Sequence, residues 1–448
     1  MTEKKLHGTF KITPITPIHI SDGEKYQIFE YYIKDKQFYL KDILKFFQDN
    51  YQNLEESLKI IEDISFTPSS EYIRYALPVY ADPKEIQKTT SNAQQKSGQE
   101  FHKFISSKHT QLSPEFKKIM KESQKKTTPT QTKPSSTSPA SQPSQEIFSF
   151  IKDPLCQVYI PGSSLKGCIR TAITYTFLNN ISNQNNKIKV EILKKVLDIQ
   201  KDRKKSYQKV LDTYINPLSD AKYDLFKTLV IRDSKPFTLT QNNSNIPTLE
   251  HFAVCQIQIV KKSQNKIKPQ GGIILAECLM PTTQIDIPFY IDLPSLISLK
   301  EDIKKSLENN QKQQKYYYYQ QLFDILKDPN KFQDSLKNFS HALIDSVDEF
   351  YKSTDQNNPL KNSFTQHKTN NEILLQLGFG TGYLSKTIAL VYTPDERNEI
   401  QKNLRLGIGK RYTPENPFPR SRKLITTKQY TIPTVPMGWF KLDIDWKQ

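Results

Sequence analysis

Two short stretches gather the groups that could hold a phosphate. In PGSSLKGCIR (161–170), Gly162, Ser163 and Ser164 stand where a strand gives way to a helix, with Lys166 and Arg170 four apart on its polar face. The first amides of a helix lack partners and its dipole leaves partial positive charge there, so an anion is favoured. A capped helix after a tight turn accounts for the same residues equally well. In LGFGTGYLSKT (377–387), Gly378, Gly380 and Gly382 surround Thr381, with Lys386 one helical turn on. The two stretches hold five of only 13 glycines in 448 residues, which implies sharp bends or a close-lying ligand.

Nucleotide-binding motifs do not fit either stretch. Cys168 and Ile169 occupy the places where a phosphate loop of an ATPase needs Lys and Ser or Thr, and Tyr383 stands where a dinucleotide fingerprint needs glycine. A polymer backbone remains as the source of phosphate. Cations interleaved with aromatic residues follow in GIGKRY and NPFPRSRKLI: Lys410, Arg411, Tyr412, Phe418, Arg420, Arg422 and Lys423. That alternation suits a single-stranded RNA groove, although a solvated basic face with Phe418 in the core would read the same way.

Composition points in the same direction. With 64 Lys and Arg against 47 Asp and Glu the net charge is +17, and nine cations face two carboxylates between Arg397 and Lys428. Cys156, Cys168, Cys255 and Cys278 show no metal or disulfide spacing and read as small core residues. Seven histidines form no metal motif, so no cofactor or metal is expected. No apolar run suits a membrane span or signal peptide, and an intracellular, cytoplasmic protein with no membrane partner is expected.

The elements that must position these residues alternate between strand and helix patterns. LHGTFKITPITPIHI alternates as a strand, YYIKDKQFYL folds back at Lys34 to Lys36, HFAVCQIQIV reads as a strand with one wet face, and KVEILKKVLDIQ as a surface helix. The expected class is α+β. Residues 81–146 read as a mobile insertion, disordered over the Ser/Pro-rich 125–146. Strands leading to a glycine loop and a helix occur twice, which predicts an N-terminal domain over 1–235 and a C-terminal one over 236–448, the latter with a helical insertion at 295–350.

Five motifs together carry a family resemblance: TPIHISDGE (16–24), IPGSSLKGCIRTAI (160–173), IRDS (231–234), LGFGTGYLSKT, and the ending PRSRKL with PMGWFKLDI. The ordered set resembles the RAMP superfamily of CRISPR proteins, most closely its large two-domain subunits of type III-A Csm effector complexes. The resemblance implies two ferredoxin-like, RRM-like domains and a non-catalytic subunit that caps the 3' end of crRNA and supports crRNA maturation in antiviral defence. It implies as partners crRNA, a neighbouring RAMP backbone subunit of the filament and host nucleases. It assigns RNA contact to Gly162, Ser163, Ser164, Lys166 and Arg170, and to Gly378, Gly380, Thr381, Gly382 and Lys386. His19, Arg420, Arg422 and Lys423 complete the expected RNA-binding set. Some relatives cleave RNA with a histidine or aspartate near the first strand, so a nuclease acting through His19 and Asp22 is the alternative. Ser21 stands where the superfamily usually has glycine, and no RNP-type aromatic match is present.

Overall fold

The computed structural model describes residues 5–50, 56, 60, 66–82, 146–184, 215–216, 218, 220–241, 246–263, 266–282, 284–308, 313–352, 364–404, 419, 421–428 and 430–447. Most of the expected 81–146 insertion, the helix expected over 189–200, and Lys410, Arg411, Tyr412, Phe418 and Arg420 lie outside the described residues.

The chain begins with β1 (Leu6–Pro14), β2 (Lys25–Tyr26), β3 (Tyr31–Lys34), β4 (Gln37–Lys41), α1 (Ile43–Asp49), β5 (Ile73–Tyr80), β6 (Ile147–Phe148) and α2 (Gly162–Gln184). Then come β7 (Leu229–Ile231), β8 (Leu239–Gln241), β9 (Pro247–Leu249), β10 (Phe252–Ser263), β11 (Lys266–Leu279) and β12 (Ile285–Ile291). The helices α3 (Leu293–Glu308), α4 (Gln313–Lys327) and α5 (Pro329–Lys352) follow, and with them α6 (Thr365–Thr369), β13 (Ile373–Gln376), α7 (Tyr383–Lys386) and α8 (Pro394–Leu404). Last are β14 (Ser421–Thr427), β15 (Tyr430–Pro436) and β16 (Trp439–Trp446).

An antiparallel sheet of order β13-β16-β1-β12-β7 carries the ferredoxin-like pattern. Apart from the edge strand β13, its strands are joined as β1, helix α2, β7, β12, the α3 to α5 helices, then β16, and β1 lies at the centre. Alternation dictates its buried face: Phe10 and Ile12 point inward from β1 while Thr9, Lys11 and Thr13 are half-buried. Phe10 stacks on Phe289 of β12, 3.8 Å between centroids, and Phe332 of α5 closes over both. Helix α5 presents Phe332, Leu336, Phe339, Leu343 and Val347 at helical spacing, all buried, and Thr176 of α2 donates to the Ser335 carbonyl, tying the two helices.

The second sheet runs β2-β6-β11-β10-β5-β4-β3, with β14 and β15 added beside β10, and β8 and β9 beside β5. It mixes parallel pairs (β5 with β10, β6 with β11) with antiparallel ones, built on the long β10–β11 hairpin. The α+β class and the ferredoxin-like expectation hold. The boundary expected between 235 and 236 does not separate the sheets: β1 pairs with β12 and β16, and β5 pairs with β10.

The wet face expected for HFAVCQIQIV is also corrected. Gln256 is buried, because apolar clusters cover both faces of β10, and it accepts a hydrogen bond from the Asp82 amide at 2.9 Å. Cys168, Cys255 and Cys278 are core residues as expected, whereas Cys156 is exposed in the turn after Asp153. Among the described residues no helix is long and apolar enough to cross a membrane.

Candidate nucleic-acid interface

The motif segments, far apart in sequence, are sewn together by main-chain bonds. The Gly438 amide donates to the Pro17 carbonyl (2.9 Å), the Leu377 amide to the Gly438 carbonyl (2.8 Å) and the Phe379 amide to the His19 carbonyl (2.7 Å). Close approach explains the glycines. At Gly378, with φ at 86°, a Cβ would stand 2.2 Å from the His19 carbonyl oxygen; at Gly380, with φ at 82°, it would stand 2.4 Å from the Met437 sulfur. Gly382 meets nothing within 4 Å, and its φ of 95° with ψ of −178° is a conformation reserved for glycine.

The first stretch departs from its expected form. Helix α2 starts at Gly162, so Ser163, Ser164, Lys166 and Gly167 are helical residues, not a loop. Neither serine is seen as the cap; instead Asp233 of the IRDS segment accepts the Gly162 amide at 2.7 Å. Ser234 of the same segment accepts the Ile160 amide at 2.9 Å and donates its own amide back to the Ile160 carbonyl. A carboxylate already answers the partial charge of the helix start. Any anion held here must therefore be held mainly by cations.

Those cations divide into tied and untied ones. Arg170 forms an ion pair with Asp224 at 2.5 Å and lies over the Phe226 ring, so its guanidinium is committed to the protein. Lys166, half-buried one turn earlier, has its ammonium shifted below the ordinary lysine range by burial, with Arg170 adding to the shift and Asp224 opposing it. Cys168, on the same helix, donates to the Gln376 carbonyl at 3.3 Å, which brings α2 against the second glycine loop. Burial raises its thiol to about 12, with nearby Lys386 opposing.

Lys386 and Lys423 flank that loop. Desolvation lowers both ammoniums, and for Lys423 the neighbouring Lys386 adds to the effect. Among the described residues none of Lys166, Lys386 and Lys423 is ion-paired to a carboxylate. Half-buried Arg422 is lowered to about 10 by burial, with Arg397 adding to the shift and Tyr351 opposing it, and its guanidinium lies 4.5 Å from the Phe350 ring centre. The result is a surplus of positive charge around one loop.

Three expected contacts are corrected, the first being Gly162, which is buried with its amide given to Asp233. His19 is 1% exposed: its Nδ1 lies 2.7 Å from the Glu277 carbonyl oxygen and burial lowers its basicity, so its side chain supports the loop from inside and does not face a bound strand. Thr381 is buried too, its hydroxyl donating to the Gly378 carbonyl. Asp22 is exposed and accepts the Glu24 amide. Ser163, Gly382 and Lys386 are exposed, while Ser164, Gly378 and Gly380 are half-buried.

Sequence reasoning missed the polar floor beneath His19. Glu277 is 1% exposed and accepts from the Tyr75 hydroxyl (2.6 Å), the Tyr26 hydroxyl (3.1 Å) and the Phe150 amide (2.8 Å), and it pairs with Lys152 (3.0 Å). No local pattern marks a glutamate in a strand as buried; only its distant partners do.

A family model described as RAMP superfamily matches residues 11–385. The chain belongs to the RAMP superfamily. Its fold is shared with a chain of a cryo-EM Csm-crRNA-target RNA ternary complex of a type III-A CRISPR-Cas system: TM-score 0.56, 18% identity, over 97% of this chain and 100% of that one. T. onnurineus Csm5, known from a crystal structure, is similar at TM-score 0.51 and 19% identity over 97% of this chain and 99% of that one. No curated protein matches the sequence. In this RAMP chain, the segments that carried the resemblance are the ones the fold brings together around His19 and Gly162.

Proposed function

We propose that this RAMP-superfamily chain is a crRNA-binding, non-catalytic subunit of a type III-A Csm ribonucleoprotein. It holds the 3' end of the crRNA, packs against a neighbouring RAMP backbone subunit and supports crRNA maturation in antiviral defence in the cytoplasm, with host nucleases as transient partners. The observation that carries this reading is the pair Lys386 and Lys423 at the second glycine loop, with Lys166 on α2, all partly desolvated and without carboxylate ion pairs among the described residues. Partly desolvated ammoniums gain most from a phosphate that neutralises them. The similarity in fold to two Csm chains, one of them in a complex with crRNA and target RNA, adds support.

Incubating the purified chain with end-labelled crRNA and its longer precursor tests the proposal. Retention of both RNAs intact, with affinity falling steeply as salt rises, is the expected result. Scission abolished by His19→Ala or Asp22→Ala would instead establish the nuclease reading, and absence of binding would remove both.

A further inference from the structure

Beside the second glycine loop two half-buried phenylalanines lie nearly parallel: Phe379 within the loop and Phe148 of β6, centroids 6.3 Å apart and planes 16° from parallel. Each carries an ammonium over its ring. Lys423 Nζ is 3.9 Å from the Phe379 centroid, and Lys25 Nζ, held by Glu146, is 4.8 Å from that of Phe148. The His19 ring meets both edge-on, at 5.9 Å and 6.4 Å, and fixes them from below. The cluster beneath them consists of buried Ala253, Cys255, Ile257, Ala276, Cys278, Ile425 and Met437, and Phe148 and Phe379 pack on its margin, half-buried.

An aromatic face with a lysine beside it is the combination that holds one unit of single-stranded nucleic acid, base on ring and phosphate on ammonium. The glycine loop adds a bent backbone that lets a strand come close. We propose that Phe379 and Phe148 form a stacking platform for unpaired RNA bases, with Lys423 leaving the ring face to meet a flanking phosphate. The proposal rests on the RNA-binding function above and supplies the aromatic contacts that no RNP-type motif provides.

The test uses the full chain and fluorescein-labelled single-stranded RNA. Phe379→Leu and Phe148→Leu keep apolar bulk and lose the π face; each should weaken binding roughly 5- to 150-fold while leaving the slope of log affinity against log salt unchanged. Phe379→Tyr should bind as the parent does. Leucine variants within about twofold of the parent, or with a flattened slope, overturn the platform. A scan of the unaltered protein with RNAs carrying one abasic site settles the case in which a variant does not fold: loss at one or two positions supports stacking, and uniform affinity overturns it. Should the unaltered protein bind no RNA, the function and the platform fall together; a flat scan on an RNA that still binds removes the platform alone.

Discussion

The amide of Phe379 donates to the carbonyl oxygen of His19 across 2.7 Å, and the side chain that residue 378 lacks would intrude to 2.2 Å from that same oxygen. One bond thus ties the second glycine loop to the segment after the first strand, and one missing methyl makes the bond reachable. Because backbone, unlike the far end of a lysine, cannot step aside, the geometry of the loop depends on residue 378 more than on its other glycines.

Gly378→Ala should therefore destabilise the protein more than Gly382→Ala. Both introduce strain of about 1–3 kcal/mol through positive φ, but only the first adds a backbone collision. Urea midpoints of the two variants check this, and equal midpoints would contradict the packing described.

Asp233→Ala should lower stability by about 1 kcal/mol through loss of the carboxylate on the Gly162 amide. Ser163→Ala should change it little, since Ser163 is exposed and is not the cap. A serine variant as damaging as the aspartate one would restore the serine cap expected from sequence.

Acid sensitivity should trace partly to Glu372, which links α6 to β16 by accepting from Lys441 (2.9 Å) and His367 (2.6 Å). Those bonds, Lys441 first, hold its carboxyl below the usual value of 4.5. The folded protein thus takes up this proton less readily than the unfolded chain. The stabilisation is complete above 4.5 and is lost as pH falls through the folded value. Glu372→Gln should be less stable than the parent by up to about 1 kcal/mol at pH 7, with the gap closing on acidification. A gap independent of pH, measured by urea melts, would assign the effect to packing.

Lys166→Ala, Lys386→Ala and Lys423→Ala should each weaken RNA binding for all sequences alike and reduce the salt slope by about one unit. Arg170→Ala should act chiefly on stability, because its guanidinium is already paired with Asp224. Fluorescence anisotropy over a salt series distinguishes the two behaviours; an Arg170 variant that flattens the slope like the lysines would show its pair opens to RNA.

Alkylation of the native protein with iodoacetamide at pH 8 should label Cys156 before the other three cysteines. Cys156 is exposed, whereas Cys168 and Cys278 are buried with thiols raised well above their usual range, Cys168 to about 12, and Cys255 is fully buried. Intact-mass and peptide spectra check the order, and early labelling of Cys168 would mean the joint between α2 and the glycine loop opens readily.

Local pattern was enough for several elements. The turn in YYIKDKQFYL is where Asp35 and Lys36 take φ of 51° and 58° between β3 and β4, and the helical spacing of α5 is plain from Phe332 to Val347. What local pattern could not carry was decided by partners far away. Gln256 alternates like a solvent-facing residue yet is covered, and His19 is enclosed by Phe148, Phe150 and Phe379. Asp233 reaches the start of α2 from the end of β7, a meeting that the spacing of neither segment announces.

Strand β1 lies between β12 and β16, with Gly8 opposite Trp446. Until β16 has folded back, then, β1 keeps one edge open. A stop codon before Trp439 would leave that edge without its intended neighbour, inviting strand addition between copies. The β1–β16 ladder thereby guards the sheet against association between copies.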